Sequence, residues 1–139
     1  MIILRLDNAV DKIKELLKSS SALSDAAIIT VFPDRLKPTR LEKILVAVGI
    51  DELNLAPASL ESSTKAGQLS IFADIFVPSS FGGGALLGTL SEICRALDDC
   101  CIVSIKAEKP FYNKDMQAVV LKTVITFSDR ITFGGDGIE

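Results

Sequence analysis

Thiolate chemistry in this 139-residue sequence would have to come from Cys94, Cys100 and Cys101, and no histidine accompanies them. A tetrahedral metal site needs four ligands, mostly Cys or His, and three clustered thiols without a C-x-x-C pair fall short of that. They read as small apolar side chains of a reducing compartment. The missing histidine also removes Ser–His and Cys–His nucleophile pairs and the commonest general acid or base. Among the carboxylates, Asp98 and Asp99 sit at an expected helix end, and Glu108 and Asp115 flank an expected turn. Such positions are solvated, with no apolar pocket to raise a pKa. No catalytic residue, no metal site and no cofactor is expected, and the side-chain inventory argues against an enzyme.

Two other stretches invite a binding role. The loop F-G-G-G, Phe81 to Gly84, leads into a helical pattern, and glycines at a helix N-terminus can offer backbone N–H groups to a phosphate. The spacing does not make G-x-G-x-x-G, because the third glycine position is Leu87, and no G-K-S/T follows. Glycines turning a sharp corner explain the loop better. A basic loop carries Arg35, Lys37, Arg40 and Lys43, diluted by Asp34 and Glu42. The chain is net −3 with a pI near 5.0, so the basic stripe of a nucleic-acid domain is not present. From residue 44 to 100 the charge turns acidic, with Lys65 and Arg95 the only basic residues. Solvated loop charge and complementary contact between identical subunits both fit this asymmetry.

The elements that hold these residues follow from periodicity. Ala9, Val10, Ile13, Leu16 and Leu17 recur at helical spacing between Asp7, a candidate N-cap, and Lys18, and Ser19–Ser21 end the helix. Ala26–Phe32 is β-branched and stops at Pro33, which predicts a strand. Lys43–Leu55 reads as a long strand bent at Gly49. After a polar loop at 57–66, Gly67–Val77 alternates Leu69, Ile71, Ala73, Ile75 and Val77 against Ser70, Phe72, Asp74 and Phe76. Leu86, Leu87, Leu90, Ile93, Cys94 and Leu97 predict a second helix over Ala85–Leu97. Cys101–Ala107 and Gln117–Phe127 predict an antiparallel hairpin about the turn E-K-P-F-Y-N-K-D.

The expected fold is therefore α+β, a single domain at 1–130 with a mainly antiparallel sheet and two helices packed on one face, in the order α-β-β-β-α-β-β. Residues 131–139, rich in glycine, are expected as a flexible tail. The N-terminus places Arg5, Asp7, Asp11 and Lys12 where a signal peptide needs a continuous apolar stretch, so a cytoplasmic protein is expected. Aliphatic runs such as Ile44–Val48 are far shorter than the ~20 residues of a membrane span. Yet 48% of the residues are hydrophobic and the mean hydropathy is +0.39. Several strands carry that excess on both faces, more than two helices can cover. Either the sheet curls on itself or another subunit covers the second face. Phe72, Phe76 and Phe81 are the candidate interface residues on this account, with Arg35, Lys37 and Arg40 the candidate charged contacts.

Three stretches carry a further resemblance: K-I-L-V-A-V-G-I-D-E-L-N-L-A-P-A-S-L (43–60), Q-L-S-I-F-A-D-I-F-V-P (68–78) with its glycine turn and helix, and A-V-V-L-K-T-V-I-T-F (118–127). With the element order, they make the chain resemble the tail terminator, or tail completion, proteins of tailed phages and of phage-tail-like contractile particles. The resemblance implies a virion structural protein that assembles as a homo-oligomer, a hexameric ring that caps the tail tube and ends its polymerisation. It implies tail tube and neck proteins as partners, and a bacterial cytoplasmic stage before incorporation into the particle. Two rivals stand beside it. One is another neck, connector or baseplate subunit of the same particle, and the other is a small-ligand or nucleotide-binding α+β domain using Phe81–Gly84.

Overall fold

The computed structural model describes residues 4–5, 9–30, 41–56, 64–82, 84–100 and 102–132. The first helix, α1 (Ala9–Lys18), buries Ala9, Ile13 and Leu17 along one stripe and leaves Asp11, Lys12, Glu15 and Lys18 in water. Serine ends it as expected: the Ser19 hydroxyl donates to the Leu16 carbonyl at 2.8 Å, and the Ser19 N–H donates to Glu15. A 3-10 turn at Ser21–Leu23 then tucks Leu23 into the core. Asp7, the candidate cap, lies outside the described residues.

The strands are β1 (Leu4–Arg5), β2 (Ala27–Thr30), β3 (Leu45–Ala56), β4 (Thr64–Pro78), β5 (Ile102–Ala107), β6 (Phe111–Asn113), β7 (Ala118–Leu121) and β8 (Thr123–Thr132). They form one eight-stranded sheet around β4, which pairs antiparallel with β3 on one side and with β7 and β8 on the other. Both outer additions next to β3 and at the end of β8 are parallel: β2 on β3, and β1 on β8. The fold is α+β with a mainly antiparallel sheet, as expected, but three strands exceed the expected count. β1 was not anticipated, β6 lies inside the expected turn, and the last strand breaks at Lys122 into β7 and β8.

Boundaries moved for local reasons. Gly49 does not bend β3; it stays in register opposite Phe72, and the irregularity falls at Asp51, between the pairs Ile50–Ile71 and Glu52–Ser70. β4 starts at Thr64, three residues before the expected Gly67, because its first residues find partners on β8. β8 continues through Ile131 and Thr132, two residues into the segment expected as a tail; 133–139 lie outside the described residues.

Helix α2 (Gly84–Ala96) packs with α1 on the same face of the sheet. Leu86 and Ile93 from α2, with Leu97 just beyond it, meet Ile13 and Leu17 from α1 and the inward row Ile71, Ala73, Ile75 and Val77 of β4. Val46, Val48, Leu121, Ile125 and Phe127 complete that core. Leu87, counted in the expected stripe, is 65% exposed, while Thr89 takes a buried position by donating its hydroxyl to the Ala85 carbonyl at 2.7 Å.

Candidate functional site

The chemically capable side chains do not converge. Cys94 is partly buried on α2, where burial pushes its thiol up and away from thiolate reactivity, a backbone hydrogen bond opposing this more weakly. Cys100 is buried, and Cys101 lies outside the described residues. Asp98, Asp99, Glu108 and Asp115 are all exposed at element ends and turns. Among the described residues no three His, Cys, Asp or Glu side chains are grouped to hold a metal ion. At the glycine loop, Gly82 takes a φ of +89°, a conformation that favours glycine, and α2 begins two residues later.

The second face of the sheet differs from the helix-covered one. Phe72 and Phe76 were expected to look outward toward another subunit, but they are only 9% and 7% exposed in the single chain. Phe76 sits in a small core of its own with Leu45, Ala47, Met116, Ala118 and Val120. The cover comes from within: the Leu41 N–H donates to the Met116 carbonyl at 3.0 Å, and both side chains pack over this face. Met116 is carried there by the β6–β7 turn, in which its N–H donates to Asn113 Oδ1 at 3.1 Å and Gln117 adopts a φ of +51°. The Ser79 N–H closes the arrangement by donating to the Gln117 carbonyl.

Between the two phenylalanines stands Asp74, opposite Ala47 and beside the break at Lys122. Burial raises its pKa to about 6; the Lys122 charge and a hydrogen bond from the Thr123 backbone pull the other way, and Glu108 and Asp51 add to the rise. The sequence placed Asp74 on the Phe72–Phe76 face, and an acid alternating with two aromatics was the available signal.

Apolar surface left after both cores are filled concentrates on one edge. β5 and β6 run end to end along the outer side of β8 and β7, joined across the Lys122 break by a Glu108 N–H bond to the Lys122 carbonyl at 2.9 Å. Among the described residues each is an outer strand with one neighbour. Their exposed side chains include Val103, Ile105, Phe111 (45%) and Tyr112 (55%). Val103 is turned out by the register shift between Ile102 and Ser104. Pro110 and the lysines at 106, 109 and 114 accompany this edge, a composition that discourages indiscriminate strand pairing.

On another part of the surface a groove of about 440 Å³ opens between α2, the 3-10 turn and the residues leading into β2 and β3. Leu23, Ala26, Ile44, Phe81, Ala85 and Gly88 give it an apolar floor, and Asp25, Lys43 and Glu92 provide the charge. Glu92 also holds Arg95 at 3.4 Å. Two carboxylates against one lysine make a poor phosphate cradle. Phe81, half-exposed, therefore belongs to a groove rather than to the sheet faces of Phe72 and Phe76. Arg35, Lys37 and Arg40 lie outside the described residues, and Lys43 of the same basic loop lines the groove. No spacing in the sequence signals the groove, since its walls come from three separate stretches, 22–26, 43–44 and 81–92.

No family model matches this sequence, and no curated protein matches it. Among solved structures it is similar to the sheath/tube terminator, in its extended state, of the extracellular contractile injection system PVC, seen by electron cryomicroscopy. The TM-score is 0.46 and the identity 12%, over 97% of this chain and 59% of that one.

Proposed function

We propose that this chain is a non-catalytic structural subunit of a phage tail or phage-tail-like contractile particle, assembling as a ring that caps the tail tube and ends its polymerisation. The observation that carries the reading is where the apolar excess goes. Two helices seal one face of the sheet, the chain's own Leu41 and Met116 cover Phe76 on the other, and exposed Val103, Ile105, Phe111 and Tyr112 still remain along the β5–β6 edge. Apolar side chains left along an outer strand mark a contact with protein or membrane. No helix among the described residues is long and apolar enough to cross a membrane. The sequence resemblance over 43–60, 68–78 and 118–127 supplies the kind of assembly.

The ring, its six-fold closure, its tail tube and neck partners and its passage from bacterial cytoplasm into the particle belong to this proposal. Gold labelling of an epitope-tagged chain in purified particles tests it. Label on the last ring of the tube, at the end away from the baseplate, supports the terminator role. Label at the baseplate, or on the head side of the junction beyond the end of the tube, would replace it with the baseplate or connector reading, and particles without label would remove both.

A further inference from the structure

We propose that the free edge of β3 in one copy pairs antiparallel with β5 of the next, so that the sheet continues from subunit to subunit with Ile50 beside Ile105 and Glu52 beside Lys106. The inference rests on the reading of the chain as a ring-forming subunit and names the contact that would build the ring. Main-chain pairing, side-chain faces and charge each favour a second copy as the occupant.

The sheet has a free edge on either side. β2 lies along β3 only as far as Val48, so among the described residues no strand pairs with the outer side of β3 from Gly49 to Ala56. On the opposite side of the sheet β5 pairs with β8 alone. Unpaired N–H and C=O groups along a strand are completed by another extended backbone. Successive antiparallel pairings make β8 run with β3 and β5 run against it. A neighbour placed alongside, its helices on the same side, therefore brings β3 against β5 antiparallel. These edges are different patches of one subunit, so the contact is heterologous and closes into a ring when the rotation allows.

The side chains of the two edges lie on matching faces. Ile50 is opposite Ile71 and Ile105 is opposite Ile125, and both partners belong to the core beneath the helices. Ile50 nevertheless remains 43% exposed and Ile105 39%. Continuing the sheet sets the two isoleucines side by side and withdraws both from water. Glu52 is opposite Ser70, and Lys106 is opposite Val124, which in turn faces Phe72, so both charges lie on the other face. In the antiparallel register that faces Ile50 with Ile105, Lys106 comes opposite Gly49 and Glu52 is its diagonal neighbour, within reach of a long side chain.

Charge decides which edges meet. Gly49–Ala56 carries Asp51 and Glu52 and no base, whereas Ile102–Ala107 carries Lys106 and no acid; Glu108 and Lys109, next in the chain, offset each other. Among the described residues none of Asp51, Glu52 and Lys106 has an ion-pair partner. Pairing β3 with β3, or β5 with β5, would bring like charges together, which destabilises a sheet. Pairing β3 with β5 joins opposite ones.

Charge reversal in the full chain tests this. Glu52 and Lys106 are exposed, so Glu52→Lys and Lys106→Glu are expected to keep the thermal stability of the wild type. Native mass spectrometry and sedimentation are read at about 10 to 100 µM, where contacts of micromolar affinity populate. The wild type is expected to form oligomers, and each single variant to associate about tenfold more weakly. The chain carrying both reversals should recover to within about threefold of the wild type, because its edges are again opposite in charge. An equimolar mixture of the single variants should give a one-to-one dimer that grows no further. Hydrogen exchange adds a main-chain readout: amides in 49–56 and in 102–107 should both slow on assembly. The inference is overturned if the wild type is monomeric across this range, if folded single variants assemble like it, if the double reversal does not recover, or if those amides exchange alike in monomer and oligomer. An oligomer built through other surfaces overturns this contact alone, and the particle-labelling experiment decides the ring reading independently.

Discussion

The two faces of the sheet are built from alternate residues of the same strands, yet they solve burial differently. The helix-covered face is continuous and almost wholly aliphatic, with Ile13, Leu17, Ile93 and Leu97 from the helical layer meeting Ile71, Ile75, Ile125 and Phe127. The other face has no helix. Two single-residue anchors, Leu41 and Met116, cover a small cluster around Phe76, and a carboxylic acid stands among its aromatics. The first kind of cover spreads its energy over two helices; the second depends on a few side chains held by backbone bonds. Covering a face therefore does not require a layer, and surplus apolar surface is displaced to an edge instead.

The largest effect should separate the faces. Phe127→Ala removes a fully buried ring beneath the helices and is expected to cost about 4 kcal/mol in denaturant unfolding, with a cavity that rigid neighbours cannot fill. Met116→Ala is expected to cost about 2 kcal/mol, because the turn that carries it can settle inward. It should also make Phe76 accessible, seen as faster hydrogen exchange at the Leu41 amide, which now bonds to Met116. Equal costs for the two substitutions would break the distinction between layered and anchored cover.

How much of this was legible in the sequence depends on the range of the contact. Both helices and the β3, β4, β5 and β7–β8 patterns follow from local periodicity, and the inward row of β4 is the predicted Leu69-to-Val77 register. β1 escaped because two residues cannot display a period, and its partner Ile131 is distant in sequence. β6 escaped because K-P-F-Y-N-K reads as a turn until Phe111 is paired with Val120. Phe72 and Phe76 were correctly placed opposite the helices. The burial of Phe76 was invisible, since it depends on Leu41 and Met116 arriving from segments that no spacing rule connects. The groove was hidden for the same reason, although Phe81 and Lys43 on its walls were singled out by the sequence.

A smaller effect exposes a flaw in the helix-covered face. Thr123 is completely buried, and its Oγ1 is the one buried side-chain oxygen among the described residues without a hydrogen-bond partner. Its backbone is well used at the Lys122 break, so the position is fixed while the hydroxyl gains nothing. Thr123→Val keeps the shape and suits a strand, and is expected to stabilise the chain by about 1.5 kcal/mol through loss of the uncompensated desolvation. Unchanged or lower stability in thermal unfolding would mean that the hydroxyl has a partner after all.

The matching flaw on the second face is Asp74, and its sign can be worked out. The carboxyl titrates near 3.8 when unfolded and about 6 in the fold, so the folded state holds the proton more tightly. Below 3.8 both states are protonated and Asp74 costs nothing. As the pH rises from there to 6 the unfolded chain ionises first, and stability falls; above 6 the full penalty for a buried charge remains. Asp74→Asn removes that titration and can still accept the Thr123 N–H. Because the carboxyl is only half-buried and Lys122 faces it, solvent screening reduces the expected gain to about 1 kcal/mol at neutral pH. The gain should vanish at about pH 3, below the unfolded carboxyl's 3.8, when wild type and variant are unfolded side by side in denaturant. A difference that does not change between those pH values would show Asp74 to be an ordinary surface acid, and the second face to be open where the helix-covered face is closed.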